Sequence, residues 1–75
     1  MLLNFYRKQR SVSQSCISSS LNVSQSAVSQ WERGLHLPSS SDLIKLSLIL
    51  DCSVNDLIAD DIEKIKKEFD YEKKG

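Results

Sequence analysis

The chain has 75 residues, 40% of them apolar and 27% charged, with ten Lys and Arg against ten Asp and Glu. This balance predicts one small folded domain and excludes a disordered chain or a large enzyme. Zero net charge also argues against a histone-like or polybasic membrane-binding protein. The charge is unevenly placed, however: residues 1–38 carry Arg7, Lys8, Arg10 and Arg33 against Glu32 alone. The N-terminal half is therefore the part suited to a polyanionic partner.

Cys16, Cys52 and the single histidine, His36, are too few soft ligands for a structural zinc site. No metal or cofactor is expected. Met1-Leu2-Leu3-Asn4 reaches Arg7 without the apolar run of a signal peptide. Leu46 to Leu50, interrupted by Ser47, is too short to span a bilayer. The expected setting is cytoplasmic and reducing, with both thiols free and buried.

Glycine occurs only at Gly34 and Gly75 and proline only at Pro38, so the one strong internal break lies between Gly34 and Pro38. No useful stretch alternates apolar and polar residues, whereas several repeat at helical spacing, which predicts an all-α chain. The first helix has Leu2, Leu3 and Tyr6 on one side, with Arg7, Lys8 and Arg10 toward its end. Ser13 offers an N-cap for a second helix from about Gln14 to Leu21, with Ile17 and Leu21 on one face. Asn22 suits a left-handed turn, and Ser24 caps a third helix from about Gln25 to Arg33, closed by Gly34.

After Pro38, Ser39-Ser40-Ser41-Asp42 supplies a cap and an acidic first turn for a fourth helix through Leu43, Ile44, Leu46, Ile49 and Leu50. Ser53 with Asp56 forms a capping-box pattern before a short fifth helix containing Val54, Leu57 and Ile58. A final helical segment is expected from Asp61 to Lys74, with Ile62, Ile65 and Phe69 three and four apart.

The second and third helices have the lengths and the short connection of a helix-turn-helix. At about 100° per residue, Ala27, Val28 and Trp31 make one apolar side of the third helix. Ser26, Ser29, Gln30 and Arg33 lie on the other, which carries no acidic side chain. Glutamine can pair bidentately with the edge of adenine, and serine can donate to or accept from several bases. A solvated face would more often show Glu and Lys pairs.

Val12-Ser13-Gln14, the run Leu21-Asn22-Val23-Ser24-Gln25-Ser26-Ala27-Val28-Ser29-Gln30-Trp31-Glu32-Arg33-Gly34, Pro38 and Asp42-Leu43-Ile44-Lys45-Leu46 together resemble a lambda-repressor-like helix-turn-helix protein of the Cro and Xre type. The resemblance covers about residues 2–59. It implies a five-helix bundle whose third helix enters the major groove of double-stranded DNA while the second lies across the backbone. By position, Gln25, Ser26 and Gln30 fall on base-reading sites, with Ser29 beside them. Gln14, Ser24 and Arg33 fall on backbone-contacting sites, Gln14 also bracing Gln25. Arg7 and Glu32 match a structural ion pair, and Trp31 a packing anchor.

The sequence departs from the family pattern at Ser11, Asn22 and Asp51, where glycine is frequent, and at Ser18, where a small alanine is usual and the hydroxyl needs a local carbonyl. Leu35, His36 and Leu37 occupy a loop that is often basic. Few cationic groups remain for phosphate, so useful affinity calls for a homodimer on two half-sites. Residues 1–60 are thus expected to form the DNA-binding domain and 61–75 a C-terminal helix and tail. Leu48, Ile62, Ile65 and Phe69 are the dimer-interface candidates, although the last helix could instead fold back on its own domain. The expected function is a Cro-like or phage-type repressor on a two-half-site operator, in a bacterial or phage-infected cell. The alternatives are a DNA-binding antitoxin and a protein-interaction adaptor. No catalytic residue, small-molecule substrate or membrane partner is expected.

Overall fold

Serine is the N-cap of four of the five helices defined among the described residues. The computed structural model describes residues 1–62 and 66–67. It contains α1 (Leu3–Gln9), α2 (Gln14–Leu21), α3 (Gln25–Glu32), α4 (Ser40–Leu50) and α5 (Val54–Leu57), and no strand among the described residues. Ser13, Ser24, Ser39 and Ser53 each accept a hydrogen bond from the backbone N–H three residues on, satisfying a donor that the first helical turn leaves unpaired. At α5 the Asp56 carboxylate accepts from the Ser53 N–H in return, completing the capping box.

Three turns take up left-handed backbone on residues other than glycine: Ser11 at φ 56°, Asn22 at 56° and Asp51 at 51°. These are the three positions where the family pattern favours glycine. Asn and Asp tolerate this region better than Ser does. The third helix ends at Glu32, one residue before the expected Arg33, and Gly34 follows at φ 76°.

The core gathers Leu3, Ile17, Leu21, Val28, Trp31, Leu46, Leu50 and Leu57 from all five helices, with Met1 buried against them. The N-terminus is docked on the far end of the bundle. The Leu2 N–H donates to the Leu57 carbonyl at 2.6 Å, and the Met1 ammonium lies 2.8 Å from Asp61 Oδ2 and 3.3 Å from Asp60 Oδ2.

One sequence expectation needs correction here. The thiols are not both buried: Cys16 is exposed and Cys52 intermediate. Cys16 precedes the fully buried Ile17, and about 100° per residue turns it off the core face. Ile44, grouped with the apolar run of the fourth helix, is exposed for the same reason, being roughly 160° around the helix from buried Leu46. Of the interface candidates, Leu48 is exposed and Ile62 intermediate, while Ile65 and Phe69 lie outside the described residues.

Candidate nucleic-acid interface

Helices α2 and α3 are joined by Asn22, Val23 and Ser24. Asn22 adopts φ 56° and ψ 45°, and the N–H groups of Asn22 and Val23 donate back to the carbonyls of Ser19 and Ser18. This closes α2 and redirects the chain within three residues. Ser24 restarts it, its Oγ accepting from the Ala27 N–H at 3.0 Å. Ser18 meets its hydroxyl's need inside α2, donating to the Ser15 carbonyl at 3.0 Å.

The inner side of α3 is fastened by Val28 and Trp31, both buried. Gln25 and Ser26 at its start are exposed, Ser29 and Gln30 are partly covered, and Arg33 just beyond its end is exposed. The outer surface of α3 is therefore polar, uncharged along its length and terminated by a cation.

Glu32 joins three elements. Arg7 of α1 donates from Nε to Glu32 Oε2 at 2.6 Å, and Gln14 at the start of α2 donates from Nε2 to Glu32 Oε1 at 2.7 Å. Arg7 also donates from Nη1 to the Val12 carbonyl at 3.1 Å. The Glu32 side chain is 7% exposed and that of Arg7 16%, so two donors compensate a carboxylate largely withdrawn from water. The expected bracing of Gln25 by Gln14 is thus replaced by bracing of Glu32. A carboxylate attracts an amide N–H more strongly than a neutral amide oxygen does. One amide hydrogen of Gln14 is used in this way.

A further clamp had no signal in the helical periodicity. Arg10 donates from Nε to the Leu50 carbonyl at 3.0 Å and from Nη2 to the Asp51 carbonyl at 3.3 Å. It thereby satisfies acceptors left open where α4 ends. The only available hint was a cation near the end of one helix and an exposed helix terminus 40 residues away.

A short helix, a tight left-handed turn and a second helix with its inner face locked and its polar face outward define a helix-turn-helix protein. A helix-turn-helix family model matches residues 3–57, and the chain belongs to the Cro/CI- and Xre-type helix-turn-helix family of DNA-binding transcriptional regulators. The HTH-type transcriptional regulator DicA of Escherichia coli (strain K12) is 34% identical over 62 residues, covering 83% of this chain and 46% of DicA. The chain thus spans about half the length of that curated relative. No solved structure matches it. No helix among the described residues is long and apolar enough to cross a membrane.

Proposed function

We propose that this chain is a sequence-specific transcriptional regulator that reads double-stranded DNA with α3 in the major groove. Gln25, Ser26, Ser29 and Gln30 contact base edges, with the glutamines suited to adenine. Gln14, Ser24 and Arg33 contact phosphates and set the register without reading sequence. The carrying observation is the outer surface of α3, polar and free of acids, on a helix held from behind by Val28, Trp31 and the Glu32 cluster.

The protein acts as a homodimer on an operator of two half-sites, and by occupying that operator it represses transcription in the manner of a Cro or phage repressor. Its place is the cytoplasm, on the nucleoid when bound, and it has no catalytic role. The small number of cations near the reading helix supports the dimer, because one subunit neutralises few phosphates. Selection from a random duplex library, followed by binding at two salt concentrations, tests the reading. Enrichment of one motif in two related halves, about 10 base pairs apart centre to centre, is the expected result. A library that enriches no motif would favour the protein-interaction adaptor.

A further inference from the structure

Between Arg10 and Asp42 the only Lys, Arg, Asp or Glu residues are Glu32 and Arg33. That stretch holds α2, the turn and α3, so the helix-turn-helix has one anion at the last position of α3 and one cation directly after it. An uncompensated carboxylate at the Glu32 position would repel the phosphates flanking a bound α3.

The compensating charge comes from outside the two helices. Arg7 of α1 donates from Nε to Glu32 Oε2 at 2.6 Å and from Nη2 to Oε1 at 3.5 Å, while its Nη1 donates to the Val12 carbonyl. Glu32 Oε1 also accepts from the Gln14 amide at 2.7 Å. A single carboxylate thus stands between the Arg7 guanidinium and a side chain assigned to phosphate. The pair is one hydrogen bond removed from the backbone-contacting surface, well inside the about 10 Å over which a charge acts in 0.1 M salt.

The other cations of the first five helices do not change this balance. Arg10 is paired with Asp51 at 3.6 Å. Lys8 and Lys45 are exposed on α1 and α4, outside the two helices assigned to DNA. Arg33 is exposed and in no ion pair among the described residues.

We propose that Glu32 limits the affinity of this protein for DNA of every sequence, by cancelling the Arg7 charge beside the phosphate-contacting residues. The inference rests on the DNA reading above and deepens it: hydroxyl and amide hydrogen bonds carry the recognition, with Arg33 as the one uncompensated charge of the helix-turn-helix. Glu32 touches no nucleotide in this account and acts through Arg7 and Gln14, as a positioning residue. Cations that neutralise phosphates release counterions and neutral donors do not, so the salt slope for one half-site is shallow, at most about two.

Titration of the full chain with a selected half-site duplex and with an unrelated duplex, from about 50 to 200 mM salt, tests this, with thermal melting as the check on folding. Glu32→Gln keeps a side-chain oxygen to accept from Gln14 and Arg7 but removes the negative charge. It should bind both duplexes at least about 3-fold more tightly at the lowest salt, steepen both slopes by up to about one and leave base preference unchanged. A role confined to holding the fold would lower affinity or leave it alone. Arg7→Gln combined with Glu32→Gln removes both charges and should return both affinities to the wild-type values. Equal or weaker binding by a folded Glu32→Gln protein overturns the proposal, as does a gain that persists in the double variant. Should Glu32→Gln melt below the assay temperature, the wild-type slope decides: at most about two upholds the proposal, and a steeper slope overturns it by showing that several cations hold the duplex. Failure of the DNA reading has a different signature, since neither wild type nor Glu32→Gln would then bind any duplex, and both inferences fall together.

Discussion

Gln14 donates its side-chain amide to Glu32 across 2.7 Å, tying the first residue of α2 to the last residue of α3. Because Arg7 reaches the same carboxylate from α1, the relative placement of the two helices in the helix-turn-helix depends on one largely buried charge. Arg7→Met strands that charge and should cost about 3–5 kcal/mol. Gln14→Ala, which leaves Arg7 in place, should cost about 1 kcal/mol. Urea denaturation measures both. A loss below about 1 kcal/mol for Arg7→Met would place the pair among weak surface ion pairs.

Gln25→Ala and Gln30→Ala should leave stability unchanged, since neither side chain belongs to the core. Each should reduce discrimination between the selected operator and its single-base variants by about 1–3 kcal/mol. Competition binding across a panel of substituted duplexes measures this. Unaltered base preference in both variants would remove α3 as the reading helix.

Arg33→Ala should behave differently. Its exposed guanidinium stands beyond the end of α3, so its loss should weaken specific and non-specific duplex alike and lower the salt slope of binding by about one. Titrations over a range of salt concentrations would reveal any base-selective effect, which would reassign the residue to sequence reading.

Among the three left-handed residues other than glycine, Ser11 is the one whose side chain is least suited to that backbone. Ser11→Gly relieves about 1–2 kcal/mol of strain and gives back about 0.4–1 kcal/mol in unfolded-chain entropy. A net gain of about 0.5–1 kcal/mol is expected, seen as a higher melting temperature. Asn22→Gly should change stability by less than about 0.5 kcal/mol, asparagine already being tolerant of this region. A destabilised Ser11→Gly would show that its side chain contributes something beyond the turn.

The N-terminal ammonium couples folding to alkaline pH. Burial works against its charge, but the hydrogen bond and charge of Asp61, with Asp60 beside it, outweigh burial and raise its pKa above the usual 8.0. A raised pKa means that the folded state holds the proton more tightly. The contribution is therefore complete below pH 8 and lost as pH climbs through the folded-state value. Burial and the charge of Asp56 raise the Tyr6 phenol and Cys52 thiol in the same sense, so N-terminal acetylation is needed to isolate the terminus. Urea midpoints from pH 7 to 10 should fall more steeply for the unmodified chain than for the acetylated one. Parallel curves would show that the terminus contributes nothing.

What the sequence determined by itself was local. Ser13, Ser24, Ser39 and Ser53 could be read as caps, Asn22 as a left-handed turn residue, and Val28 and Trp31 as the inner side of α3, because capping bonds, turn conformations and helix faces are set within about four residues. The left-handed turns at Ser11 and Asp51 were marked by glycine-rich positions in the family pattern. The placement of Gln25, Ser26, Ser29 and Gln30 on α3 was legible for the same local reason. Tertiary structure alone decided that Gln14 serves Glu32 rather than Gln25, that Arg10 closes α4, and that the Leu2 N–H donates to the Leu57 carbonyl at the end of α5. Each of these contacts joins residues at least 18 positions apart. Several acceptors compete for each donor at such separations, and only the packed arrangement of the helices brings one of them within hydrogen-bonding distance.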